Sequence, residues 1–184
     1  MNSNEKAIHS FYTAFAKKDS AKMAEYYHEK IRFQDPVFNV LRSKDAMYMW
    51  EMLIERSKGN LKINFSNIKT IENTVHAKWI ATYNFSLTNR KIKNIIHAEF
   101  EFKDGLIIRH TDNFNFWKWN QQAFGFKGYL LGWTGYMQNK IKKEARKSLQ
   151  KYKAKKRFLN RQSELINPEI LPINSEITGS SGLA

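Results

Sequence analysis

The chain has 184 residues, of which 42% are hydrophobic and 14% aromatic, enough for one domain of ordinary size with a large core or a lined cavity, plus an extension. It contains no cysteine, which excludes disulfides and thiolate metal ligands, and no run of about 18 apolar residues that would cross a bilayer. Its net charge of +14 is uneven: residues 1–133 contribute +7, residues 134–161 contribute +10 with Glu144 as their one acid, and the remainder −3.

The charge steps divide the chain into a domain over 1–133, a basic amphipathic helix over 134–161 and a tail over 162–184. Pro168, Pro172 and Thr178-Gly179-Ser180-Ser181-Gly182 give the tail linker chemistry, so it is expected to be flexible. The first residues lack the continuous apolar stretch of a signal peptide, and the expected location is cytoplasmic.

In chain order, Ile8, Phe11, Tyr12 and Phe15 recur at helical spacing. Asp19-Ser20 then offers a cap for a second helix carrying Met23, Tyr26 and Tyr27. The segment Phe33-Gln34-Asp35-Pro36-Val37-Phe38 comes next. Ser43 can cap a third helix, whose stripe Ala46, Trp50, Leu53, Ile54 and Ser57 ends at Gly59. Beyond Gly59 the period becomes two: Ile63, Phe65 and Ile68 mark one strand, and Val75, Ala77, Trp79, Ala81, Tyr83, Phe85 and Leu87 a longer one.

Two turns predict the register of the remaining strands. A two-residue loop at Thr88-Asn89 pairs Phe85 with Ile92, Tyr83 with Asn94, Ala81 with Ile96 and Trp79 with Ala98. A three-residue loop at Lys103-Asp104-Gly105 pairs Phe100 with Ile108, Ala98 with His110 and Ile96 with Asp112, and sets Glu99 beside Arg109. A two-residue Asp104-Gly105 loop would set Phe100 opposite Arg109 and is rejected because it mixes charge into the apolar face. The expected sheet is curved and antiparallel, with one apolar face covered by the three helices. Tyr83, Asn94, His110 and Asp112 are the polar groups that project into that face.

Asp35 sits among apolar side chains, and Pro36 holds its backbone extended. Burial raises a carboxyl pKa, which suits proton exchange near neutral pH; the plain alternative is a turn aspartate before a proline. His110 and Asp112 lie two residues apart on one face. They read either as an acid/base pair or as a hydrogen-bonded pair satisfying buried polar atoms.

The order of elements, together with Phe33-Gln34-Asp35-Pro36-Val37, Phe100-Glu101-Phe102-Lys103-Asp104-Gly105-Leu106-Ile107 and His110-Thr111-Asp112, resembles the nuclear transport factor 2-like superfamily in its ketosteroid isomerase and SnoaL-like branch. The resemblance covers residues 5 to about 131. It implies an α+β, cone-shaped fold in which three N-terminal helices cover the concave face of the sheet, a central cavity, and a homodimer formed through the outer sheet face. Asp35 matches the base of the isomerases. Phe11 and Ala98 stand where those enzymes carry oxyanion donors, and neither side chain can donate, so ketosteroid isomerase activity itself is not expected. In the cyclase branch a cavity-strand aspartate is the acid/base, for which Asp112 is the candidate.

The expected catalytic set is therefore Asp35, His110 and Asp112. Tyr83, Asn94, Phe100, Phe102, Trp79, Phe114 and Trp50 are expected to line a site for an apolar small molecule. His97 and His110 fall on opposite faces and His76 points away, so no metal is assigned; no phosphate loop or activated nucleophile calls for a cofactor either. Trp117 and Trp119 are read as leaving the last strand on opposite faces.

Along 134–161, Met137, Ile141, Ala145, Leu149 and Tyr152 form a thin apolar stripe among Lys and Arg. Such a helix binds an anionic membrane surface, binds nucleic acid, or packs on its own domain with the other face solvated. A membrane surface is favoured over nucleic acid because few aromatics interleave with the charges, and the helix is expected to leave the domain. Two functions stay open: a small isomerase, cyclase or epoxide-opening hydrolase, and a noncatalytic module that holds an apolar ligand.

Overall fold

The computed structural model describes residues 1–166; the expectation of a flexible tail lies outside the described residues from 167 onward. Helix α1 (Ser3–Ala16) opens on a capping box, in which Asn2 accepts from the Glu5 amide while the Glu5 carboxylate accepts from the Asn2 amide. Its apolar stripe buries Ile8, Phe11, Tyr12 and Phe15. Helix α2 (Ser20–Ala24) is one short turn capped by Asp19.

Tyr26 and Tyr27 do not continue α2. The chain turns at Glu25 and Tyr27 begins strand β1 (Tyr27–Asp35), which buries Tyr27, Ile31 and Phe33 and hairpins into β2 (Asn39–Arg42). Two strands thus stand between the second and third helices, where the apolar periodicity predicts none. Helix α3 (Lys44–Arg56) starts at Ser43, although that side chain makes no capping bond. It buries Ala46, Met49, Trp50 and Met52, while Leu53, expected on the same stripe, is exposed.

Strands β3 (Lys62–Ile71), β4 (Thr74–Asn84), β5 (Lys91–Lys103) and β6 (Leu106–Asn113) complete a six-stranded sheet in the order β2-β1-β6-β5-β4-β3. The sheet is mixed rather than purely antiparallel, because β1 runs parallel to β6. That pairing sets Phe33 beside His110 and so brings the Asp35 segment to the polar strand.

Both predicted registers are two residues out. The β4–β5 loop holds four residues between Phe85 and Arg90, whose backbones are bonded at 2.9 Å, so Tyr83 faces Ile92, Ala81 faces Asn94 and Trp79 faces Ile96. The β5–β6 turn is the rejected two-residue Asp104-Gly105 loop, both residues having positive φ as a type I′ turn needs. A bulge at Ile108 then restores the faces, so Ala98 opposes Asp112, Phe100 opposes His110, and Arg109 pairs with Glu101 at 2.9 Å instead of with Glu99.

After β6 the chain forms α4 (Phe116–Phe124) and α5 (Phe126–Leu131), so Trp117 and Trp119 are helical, not the end of a strand. Helix α6 (Gly135–Ile166) runs past the expected boundary at Arg161 and does not leave the domain. Its stripe packs on α3: Leu149 and Tyr152 are buried in the main core, with Ala145 against it. Acidic residues of α3 meet the basic flanks, Lys153 Nζ lying 2.6 Å from Asp45 Oδ1 and Lys156 Nζ 2.6 Å from Glu51 Oε1. Tyr152 donates to Glu55 Oε1 at 2.6 Å.

Candidate functional site

Four hydrogen bonds tie β1, α3, β4 and β6 into one buried chain of polar groups. Trp50 Nε1 donates to Tyr27 Oη at 2.9 Å, and Tyr27 Oη lies 2.7 Å from His110 Nδ1. His110 Nε2 lies 3.0 Å from Asp112 Oδ1, which also accepts from Trp79 Nε1 at 3.1 Å. The partners fit one tautomer, with His110 protonated on Nε2 and the Tyr27 hydroxyl donating to Nδ1. His110 is 0% exposed and Asp112 3%, so each donor in the chain has replaced water with a protein partner.

Aromatic rings enclose this chain. The Phe100 and His110 ring centroids are 4.2 Å apart, Phe33 approaches His110 edge-on at 5.1 Å, and Trp50 stacks on it at 5.9 Å. Of the expected site residues, His110, Asp112, Trp79, Trp50 and Phe100 therefore meet in one place.

Asp35 ends β1 nearby. Its Oδ1 accepts from the Val37 amide at 3.0 Å and the Phe38 amide at 2.5 Å, so the plain turn reading holds for one oxygen. Crowding by protein atoms nevertheless pushes the carboxyl up to about 7. Loss of hydration is the largest cause and the charge of Asp112 adds to it, against the two backbone hydrogen bonds and the charge of Lys142. The residue as a whole keeps some contact with solvent, so it is the accessible member of the acidic pair.

Tyr12 and Tyr27 are not among the expected site residues. In the sequence Tyr12 is one more apolar position of α1; in the fold it is fully buried, and its hydroxyl has no partner among the described residues. Burial, reinforced by the charge of Asp112, holds its pKa well above the ordinary tyrosine value. Tyr27 belongs to a strand and not to the expected helix; the alternation that buries Phe33 and Ile31 breaks at the exposed Glu29, where the register is irregular, so spacing gives no signal for its inward orientation. Phe11 and Ala98, at the positions of the missing oxyanion donors, are both buried in the core.

Aromatic side chains crowd the space between helices and sheet, where a cavity is expected. Tyr12 and Phe15 approach Trp79 with centroids 6.0 Å and 5.4 Å apart, and Phe15 approaches Trp50 at 5.0 Å. Two hollows lie on the outer sheet face: an open depression of about 530 Å³ beside Lys62, Asn64, Thr82 and Lys93, and one of about 100 Å³ beside Glu99, Glu101 and Arg109.

The interior divides at a seam. A second apolar cluster of Ile92, Phe116, Trp119 and Ala123 adjoins the main core, and the partly buried Val37, Tyr83 and Phe114 pack against both. Val37 places the seam beside Asp35. Tyr83 Oη accepts from Trp119 Nε1 at 2.8 Å, Asn94 is half-buried on the same strand face as Ile92, and Phe102 packs at the edge of the main core.

Helices folded over one face of a curved mixed sheet, with an Asp-Pro turn and a strand-borne His-Asp pair beneath them, define an α+β protein of the nuclear transport factor 2-like kind. The chain belongs to the SnoaL-like domain family, whose model matches residues 8–110. A search of curated proteins gives no match. Among solved structures, TerC crystallised with polyporic acid superposes with a TM-score of 0.58 at 13% identity, over 66% of this chain and 98% of TerC. A putative polyketide cyclase from Xanthomonas campestris pv. campestris gives 0.54 at 16% identity, over 66% of this chain and 96% of its own. A putative isomerase from Bacillus subtilis gives 0.53 at 20% identity, over 68% and 96%. These likenesses establish the fold.

Proposed function

We propose that the chain binds a small apolar molecule at the seam formed by Val37, Tyr83 and Phe114 and moves a proton on it with Asp35, as an isomerase or cyclase does. The observation that carries this reading is the state of Asp35: one oxygen held by two backbone amides, the carboxyl raised to about 7, and some solvent contact retained. Near neutral pH both protonation states are populated, so the same group can remove a proton from one atom and return it to another. The second oxygen makes no hydrogen bond to the described residues and is the one that meets substrate. Admission of a ligand requires the seam side chains to swing outward, and these are less buried than the rings around His110.

Asp112 acts on Asp35 through its charge, and the Tyr27–His110–Trp79 chain fixes Asp112 in place. Phe11 and Ala98 cannot donate, and the Tyr12 hydroxyl, although without a partner among the described residues, is fully buried against Phe65, Trp79 and Phe100 and away from the seam. Two of the structural neighbours are described as a putative polyketide cyclase and a putative isomerase.

The test is incorporation of solvent deuterium into a panel of cyclic enones and aromatic polyketides, with and without Asp35→Asn. Exchange that Asp35→Asn abolishes, with the fold unchanged by circular dichroism, supports the reading. A second reading, a noncatalytic binding module, is favoured by the mutual satisfaction of the His110 chain. Binding of a panel member with no deuterium exchange would select it.

A further inference from the structure

The apolar stripe of α6 is spent on α3, yet a different apolar surface stands open at the other end of the chain's basic region. Phe126, Tyr129, Leu130 and Trp133 recur at i, i+3, i+4 and i+7 along α5 and the turn after it, and all face solvent, Phe126 being 75% and Trp133 66% exposed. Tyr136, at the start of α6, is 82% exposed.

The opposite side of α5 explains why this stripe cannot turn inward. Gly128 and Gly132 press on α4 so closely that a Cβ at Gly128 would lie 1.9 Å from the Asn120 carbonyl oxygen, and one at Gly132 2.6 Å from the Asn120 Cβ. Asn120 Nδ2 donates to the Gly132 carbonyl at 3.0 Å and locks the contact. The polar handles of the tryptophans are also turned inward, Trp133 Nε1 donating to the Leu130 carbonyl at 2.9 Å and Trp117 Nε1 to the Tyr129 carbonyl at 3.3 Å. What remains outside is ring and aliphatic surface on a fixed support.

Charge identifies the occupant. Between residues 116 and 147 the chain carries Lys118, Lys127, Lys140, Lys142, Lys143, Arg146 and Lys147 against Glu144 as its one acid. A second copy of the same surface would bring these like charges together, whereas an anionic bilayer complements them. Nucleic acid would use the rings for stacking but gains nothing from Leu130 and Leu131, which are also exposed. Aromatic rings and lysines side by side are suited to the headgroup level of a bilayer, with the rings in the interface and the ammonium groups among lipid phosphates.

We infer that the α4–α5 corner docks on anionic lipid surfaces through Phe126, Tyr129, Leu130 and Trp133, with the flanking lysines supplying the attraction. The contact lies on α5, not on the α6 stripe.

The full chain is mixed with vesicles of phosphatidylcholine alone and of phosphatidylcholine with phosphatidylserine, and partitioning is measured by sedimentation and by quenching of tryptophan with brominated acyl chains. The expected result is binding to the anionic vesicles only, quenching by shallow bromines, and at least a tenfold loss of partitioning in the triple variant Phe126→Ser, Leu130→Ser, Trp133→Ser. A control variant, Lys155→Gln with Arg157→Gln at the far end of α6, should bind within a few-fold of the unaltered chain. Equal partitioning of the triple variant would overturn the inference and leave charge alone as the cause. So would failure of the unaltered chain to bind either vesicle, whether the triple variant then converts a dimer to a monomer or only abolishes binding of a single-stranded oligonucleotide.

Discussion

Tyr27 Oη lies 2.7 Å from His110 Nδ1, so the first residue of β1 closes a hydrogen bond with the middle of β6, the strand it runs parallel to. Without that hydroxyl, His110 Nδ1 and Trp50 Nε1 both lose their partner in a site that water does not reach. Tyr27→Phe is therefore expected to cost on the order of 2–3 kcal/mol, more than the ~1 kcal/mol of one ordinary hydrogen bond, because two buried groups are left unpaired. Urea unfolding of the two proteins measures it, and a loss under about 0.5 kcal/mol would show that the groups find other partners.

Asp35 gives stability a pH dependence of definite sign. Its carboxyl is raised from the ordinary 3.8 to about 7, so between those values the folded chain holds a proton that the unfolded chain has lost. The associated stability is full below about pH 3.8 and is lost as pH rises through 7. The three-unit window sets an upper bound of roughly 4 kcal/mol, and partial solvent contact reduces it. Asp35→Asn should flatten this part of the profile, so that its stability relative to the unaltered chain rises between about pH 4 and pH 8. A mutant with the same slope as the parent would remove Asp35 as the titrating group.

Tyr12→Phe separates structure from chemistry. The buried hydroxyl has no partner among the described residues, so its removal is expected to change stability by no more than about 1 kcal/mol, with a gain as the favoured sign. Because that hydroxyl sits in the packed core away from the seam, the same change should leave turnover within about twofold of the parent. Thermal unfolding and kinetics on one preparation give both answers.

Helix α6 should be part of the folded unit. Cutting the chain after Trp133 exposes the α3 surface that Leu149 and Tyr152 cover and leaves Asp45, Glu51 and Glu55 without their lysine and tyrosine partners. Loss of these two side chains from the core, at about 1.5–3 kcal/mol each, predicts a loss of roughly 3–6 kcal/mol. A truncated chain that melts at the temperature of the full one would contradict the packing.

Gly128→Ala should loosen the α4–α5 corner, since the added methyl meets backbone, which cannot swing aside as a side chain would. A cost of about 1–3 kcal/mol is expected for such overpacking, with faster hydrogen exchange confined to residues 116–133. Uniformly faster exchange across the sheet would place the effect elsewhere.

The local sequence determined which strand residues face inward and which polar groups join them. Period-two spacing placed Trp79, Ile96, Phe100, His110 and Asp112 on one face, and an aspartate before proline among aromatics marked Asp35 as a crowded acid. Both are decided within a few residues, by the alternation of a strand and by the backbone restriction proline imposes. Register was a different matter. A shift of two residues keeps every side chain on its face, so the apolar pattern could not distinguish Trp79 opposite Ala98 from Trp79 opposite Ile96. The bulge at Ile108 was likewise invisible, because it lets the two-residue turn and the apolar face coexist.

Long-range partners were decided only in three dimensions. Nothing near Tyr27 announces a parallel neighbour about eighty residues away, and the pairing that creates the Tyr27–His110 contact comes from closing the sheet. The positive run of α6 showed that one face would be solvated, but whether its stripe stayed free depended on the acids of α3, which lie on a different helix far off in the chain. In the same way the glycines of α5 had no meaning as spacing until α4 came against them and turned Phe126, Leu130 and Trp133 outward. Alternation and capping are properties of neighbours along the chain, whereas burial of a face depends on which distant surface reaches it first and fits it best.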